Sequence, residues 1–170
     1  MSTALLDAVV KKNRARLIPF MLALYVLAFL DRSNIGFAKE TYQLDTGLSN
    51  EAYALGAGIF FVVYAFLGVP ANLLMRKFGA RKWIGCTTLL WGVLSAAMAW
   101  ADTEAKFLLV RTLLGAAEAG FFPGMIYLTS QWFPQQNRAS IMGLFYMGAP
   151  LALTLGSPLS GALLEDRKST

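Results

Sequence analysis

Apolar residues come in long blocks separated by short polar connections. The first block covers residues 17–38 and is interrupted by Asp31 and Arg32; the others cover 52–72, 83–100, 107–130 and 139–164. Each is near the ~20 residues with which an α-helix crosses ~30 Å of hydrocarbon. A soluble amphipathic helix would show a polar stripe every ~3.6 residues, and a barrel strand would alternate strictly. Neither pattern is present. Only helices and closed barrels satisfy their backbone polar groups within lipid. The pattern therefore predicts an all-α membrane protein with five transmembrane helices.

Residues 1–16 read as a basic tail, 17–164 as a transmembrane bundle, and 165–170 as a polar end. The run Leu17–Leu30 behind basic residues has the outline of a signal peptide. No small-x-small cleavage site follows it, however, and four further spans do.

Charge in the connections sets an expected orientation. The tail holds Lys11, Lys12, Arg14 and Arg16 against Asp7, and the first link holds Lys39 against Glu40, Asp45 and Glu51. The second link holds Arg76, Lys77, Arg81 and Lys82 with no acid; the third holds Asp102, Glu104 and Lys106, and the fourth Arg138. Basic and non-basic connections alternate, which predicts a cytoplasmic N-terminus by the positive-inside rule.

Composition agrees. Of the 170 residues 56% are hydrophobic and 15% charged, against ~25% charged in soluble domains. The net charge of +5 is accounted for by loops facing an anionic leaflet, so a nucleic-acid partner is not expected. The absence of histidine excludes histidine triads, metal sites and proton relays, and the lone Cys86 excludes an internal disulfide. With no activated nucleophile or ligand cluster, neither an enzyme nor a cofactor or metal is expected.

Asp31, Arg32, Arg111 and Glu118 fall inside the apolar blocks. A charge at mid-bilayer costs at least about 2.5–3.5 kcal/mol on insertion scales, so such residues face a cavity or a partner. Glu118 follows Arg111 by two helical turns, placing both on one face. An inverted repeat of blocks one to three and four onward would put the two charged helices in equivalent places around a polar cavity, where a secondary transporter holds its solute. Arginine offers a planar fork of donors to a carboxylate or phosphate, and the two acids can each take up a proton when desolvated. A protonated acid would release the arginine to the anion. The competing reading is a set of fixed ion pairs orienting the bundle, or Arg111 snorkelling to water. Tyr64 and Asn34 are weaker candidates, for which local packing serves as well.

Small residues recur along the helices: Gly56 and Gly58, Gly115 to Ala117, Gly120 and Gly124, and Gly156 and Gly161. They allow close backbone approach, and the Gly120–Gly124 spacing reads as intrachain packing more readily than as a dimer face. Pro123, Pro150 and Pro158 should bend their helices. Trp83, Trp100 and Trp132 lie at block ends as interfacial anchors do.

Two motifs carry a resemblance. Leu30-Asp31-Arg32-Ser33-Asn34-Ile35-Gly36-Phe37-Ala38 resembles the first-helix signature of the anion:cation symporter family within the major facilitator superfamily. Arg111-Thr-Leu-Leu-Gly115-Ala-Ala-Glu118-Ala-Gly120-Phe-Phe-Pro123-Gly124 resembles its fourth-helix motif, continued by Trp132-Phe133-Pro134 and Arg138-Ala139. The resemblance covers residues 15–164 and is strongest to bacterial sugar-acid permeases. It implies a proton-driven symporter of organic anions in the bacterial inner membrane, built as two six-helix halves. By position it assigns proton coupling to Asp31 and Glu118, and substrate binding to Arg32, Tyr64, Asn34 and Arg111. One departure stands out. Arg76 occupies the place of an expected Asp ahead of Gly79-Ala80-Arg81, which puts the usual charge relay there in doubt.

The resulting expectation is the incomplete N-terminal half of a major-facilitator-like bundle. Its partners would be the lipid bilayer, a small organic anion, protons and the missing C-terminal half, without which alternating access is not expected. Uniport or exchange of the anion is the nearest alternative, and a non-transporting membrane sensor or interaction subunit the next.

Overall fold

The computed structural model describes residues 3–156 and 158, and among them every regular element is helical. In chain order these are α1 (Thr3–Phe37), α2 (Lys39–Thr46), α3 (Asn50–Phe78), α4 (Ala80–Ala97) with a 3-10 turn at Met98–Trp100, α5 (Glu104–Glu118), α6 (Phe121–Trp132) and α7 (Gln135–Tyr146). Five stretches are long and apolar enough to span a bilayer: Leu5–Phe37, Asn50–Phe78, Ala80–Trp100, Glu104–Trp132 and Gln135–Gly156. The part of the fifth apolar block after Pro158, with Gly161 and the polar end at 165–170, lies outside the described residues.

The helices differ from the sequence expectation at their ends. The basic tail is helical from Thr3 onward, because its Lys, Arg and Ala residues are good helix formers and no Gly or Pro interrupts them. The first connection contains a short helix, α2, that apolar patterning does not reveal because its composition is polar. Ser49 caps α3 by accepting the Ala52 amide at 3.1 Å, and Thr103 caps α5 by accepting the Lys106 amide at 3.4 Å. Such caps satisfy amides left without an intrahelical partner. Gly79, at φ +85°, separates α3 from α4 in a conformation that L side chains rarely adopt.

Prolines act selectively. Pro19 and Pro70 sit within continuous helices, whereas Pro123 and Pro150 follow breaks at Ala119–Gly120 and Met147. A proline four residues on cannot donate to the Ala119 or Tyr146 carbonyl, which opens the helix at those points. The bend expected at Pro158 falls at the limit of the described residues.

The chain divides into two compact units. One contains α1, the end of α6 and α7. Met21, Leu24 and Ala28 of α1 are buried at helical spacing, as are Ile141, Phe145 and Ala152. Tyr25 packs on Phe145 with ring centres 4.3 Å apart, and a Cβ on Gly148 would come within 2.6 Å of Tyr25. Arg138 closes the end of α6: its Nε donates to the Phe133 carbonyl at 2.9 Å and its Nη2 to that of Ser130 at 2.7 Å.

The other unit, residues 39–127, contains α2 to α5 and the start of α6. Its principal packing is α3 against α5 along two rows of residues spaced by four. Gly56 meets Phe107, Phe60 meets Arg111 and Gly115, and Gly68 meets Ala119. Residue numbers rise together on both helices, so they run parallel. Interdigitating i±4 rows is a common mode of helix packing. The Gly120–Gly124 pair packs within the chain, as the spacing suggested: Gly120 lies against Trp83 and Ala71, and Gly124 against Met75 and Ile84. Outward faces remain strongly apolar, with Phe66 78% and Leu89 73% exposed, a surface suited to lipid rather than water.

Candidate functional site

Arg111 and Glu118 are the two buried charged side chains among the described residues, at 2% and 1% exposure. Their spacing on α5 puts both on its packed face, as two helical turns require. Arg111 therefore does not snorkel to the surface.

Burial of a guanidinium is costly unless its donors and charge are met by the protein. Part of that requirement is supplied by α3. The Arg111 Nε donates to the Gly56 carbonyl at 3.3 Å, and the guanidinium carbon lies 4.5 Å from the centre of the Phe60 ring. An aromatic face attracts a cation through its quadrupole, more strongly where water is excluded. Gly56 lies against the Phe107 ring, where a Cβ would overlap it. The missing side chain is what lets the Phe107–Arg111 edge of α5 approach the α3 backbone.

Tyr64 follows Phe60 by one turn, and the two rings stack at 6.1 Å with 19° between their planes. Tyr64 is half-buried and lines the start of a groove of about 370 Å³, which passes Gly68 and Asn72 and reaches Arg76. The Asn72 Oδ1 is buried there without a hydrogen-bond partner among the described residues. A polar end on an otherwise apolar groove results, with Arg76 in the place of the expected acid.

The remaining sequence candidates lie on α1, in the other unit. Asp31 and Arg32 are half-buried and Asn34 is exposed, all within unbroken helix. Arg111, Glu118 and Tyr64 thus belong to one unit, and Asp31, Arg32 and Asn34 to the other. Phe60 and the Gly56 carbonyl were not among the residues singled out from sequence. A signal for them existed in the four-residue spacing of Gly56, Phe60, Tyr64 and Gly68 against Phe107, Arg111, Gly115 and Ala119.

No group of three or more Cys, Asp or Glu side chains able to hold a metal occurs among the described residues. The arrangement consists of fixed cationic and acidic groups held between apolar helices.

The major facilitator superfamily profile matches residues 21–167. RhmT, an inner membrane transport protein of Escherichia coli, is 94% identical over 165 residues, which are 97% of this chain and 38% of that protein. A protein of Agrobacterium vitis named for tartrate transport is 50% identical over 157 residues, 92% of this chain and 35% of its own length. The chain thus spans under two fifths of the length of these curated relatives. A bacterial homologue of the human lysosomal transporter Spinster, solved in an inward-facing and occupied conformation, superposes with a TM-score of 0.82 at 22% identity, over 88% of this chain and 32% of that one. That likeness establishes the fold alone. Five apolar helices, a charged and buried fourth span, and a family match over most of the sequence lead to one conclusion: the chain belongs to the major facilitator superfamily.

Proposed function

We propose that this chain is the N-terminal part of a secondary transporter that moves an organic anion, a sugar acid such as rhamnonate, together with protons across the bacterial inner membrane. The observation that carries the proposal is the burial of Arg111 and Glu118 on one face of a membrane-spanning helix. Intramembrane ionisable residues are costly and mark solute or proton pathways.

In this reading Arg32 and Arg111 hold the carboxylate, because the guanidinium fork matches it in two directions and stays charged. Tyr64 and Asn34 contribute hydrogen bonds to the anion's hydroxyl groups. Asp31 and Glu118 take up protons. When an acid is protonated its attraction for a neighbouring guanidinium falls, and the anion replaces it; loss of the proton reverses the exchange. Binding of one partner then favours the other, which is coupling in the thermodynamic sense. The tail at 1–16 faces the cytoplasm and residues 17–164 form the bundle. Alternating access also draws on helices outside this stretch, since midplane sites form between repeats.

The test uses residues 1–170 joined to the remainder of the Escherichia coli relative and reconstituted in liposomes. With an inward proton gradient, labelled rhamnonate should accumulate; Arg32→Ala and Arg111→Ala should abolish uptake. Glu118→Gln should lose gradient-driven accumulation yet keep exchange of internal for external anion. Accumulation that ignores the gradient would replace symport with uniport or exchange. An intact, correctly folded protein that moves no sugar acid would leave a non-transporting membrane subunit as the better description.

A further inference from the structure

We infer that Phe60 is a positioning residue for the anion site, holding the Arg111 guanidinium and the Tyr64 ring in a fixed mutual arrangement; this rests on the function proposed above. Phe60 is wholly buried, at 0% exposure. Its ring meets the Arg111 cation at 4.5 Å and the Tyr64 ring at 6.1 Å. Its backbone is fixed independently, because Gly115 brings α5 so close that a Cβ there would sit 2.5 Å from the Phe60 carbonyl oxygen. The ring thus stands on a closely packed stretch of α3, between a buried cation and the residue that opens onto the groove.

Apolar bulk alone does not explain this placement. An aliphatic side chain of the same volume would fill the space, but it would present no negative ring face to the guanidinium. The hydrogen bond from the Arg111 Nε to the Gly56 carbonyl, at 3.3 Å, would survive that exchange. The ring supplies a restraint of another kind, on where the cation lies over its face. Because Tyr64 stacks on that same ring, a shift of the cation is passed to the groove, and a ligand on Tyr64 is felt at Arg111.

The test compares Phe60→Met, which keeps most of the volume and removes the ring, with Phe60→Tyr, which keeps the ring, both in the full-length protein joined as above. Met should raise the KM for rhamnonate about thirtyfold, the size of one desolvated cation–ring contact, with a smaller change in maximal rate. Tyr should stay within about twofold of the parent. A readout independent of transport is the NMR resonance of the Arg111 Nε–H in arginine-labelled protein, identified by its loss in Arg111→Lys. The Phe60 ring current should displace it in the parent; Met should remove that displacement while the hydrogen bond to Gly56 remains, and Tyr should not. An unmoved resonance in Phe60→Met overturns the inference whatever transport shows. A moved resonance in a protein that transports no sugar acid upholds the positioning of Arg111 and overturns the proposed function alone. A moved resonance with unchanged KM in an active protein overturns the role of Phe60 in the anion site.

Discussion

Gly115 lies directly against the backbone of Phe60: a Cβ built on it would fall 2.5 Å from the Phe60 carbonyl oxygen and 3.2 Å from its carbonyl carbon. Contact at that distance is backbone to backbone, so no rotamer change can relieve an added methyl. Gly115→Ala should therefore push α5 away from α3, costing about 1–3 kcal/mol as overpacking does, and weaken the Arg111 contacts one turn away. Gly92 is the control, because a methyl added there would meet nothing within 4 Å. Gly92→Ala should be neutral or slightly stabilising, since Ala is the better helix former. Thermal melts of the purified proteins in one detergent compare the two; equal melting temperatures would contradict the tight α3–α5 approach.

Arg138 donates to two carbonyls at the end of α6, those of Ser130 and Phe133. Hydrogen bonds from a charged donor are worth roughly 1.5–3 kcal/mol each where solvent is limited. Because Arg138 is half-buried, its removal should cost toward the lower end. Arg138→Ala should lower the melting temperature and speed amide exchange at residues 130–133. Arg138→Lys should recover only part, since an ammonium cannot reproduce the two directions of the fork.

The Trp83 Nε1 is buried without a hydrogen-bond partner among the described residues, and its indole covers Gly120. Losing an unbonded polar atom removes no interaction, whereas losing the ring leaves a cavity. Trp83→Phe should thus cost less than about 1.5 kcal/mol, and Trp83→Ala about 3–5 kcal/mol. A Phe variant as damaged as the Ala variant would mean that the indole N–H has an essential acceptor.

Tyr42 ties α2 to the turn after α4: its hydroxyl donates to the Ala101 carbonyl at 2.5 Å. Burial, and secondarily the nearby Asp102 carboxylate, push its ionisation above the usual 10.0. Below pH 10 the phenol is neutral in both folded and unfolded chains and the tie is intact. As pH rises from there through the folded value, the unfolded chain ionises first and the folded state loses stability. Amide exchange at Ala101 to Thr103 should accelerate over that window in the parent. In Tyr42→Phe it should be fast throughout and show no step from this ionisation. Asp102 behaves oppositely. Its hydrogen bond from Lys106 holds the carboxyl below its ordinary value, so its small contribution is present above the unfolded value and fades as pH falls through the folded one.

The apolar blocks alone determined that the chain is helical and spans a membrane, because backbone groups in lipid must be satisfied within each span. They also isolated Arg111 and Glu118, since a charge within an apolar run has few tolerable explanations. Local chemistry read less well where competing effects are close. The polar α2 was invisible to apolar periodicity, and the basic tail was helical although nothing apolar required it. Prolines at 19 and 70 left their helices continuous, while those at 123 and 150 follow breaks, so a proline in the sequence did not by itself tell which helix would open. Only tertiary structure decided which aromatic ring and which carbonyl meet Arg111. Phe60 and Gly56 are ordinary residues in an apolar helix, and their importance arises from the parallel four-residue rows that bring α3 and α5 together. A sequence records which side chains one helix carries, but contacts between helices depend on register and distance, and those exist only once both backbones are in place.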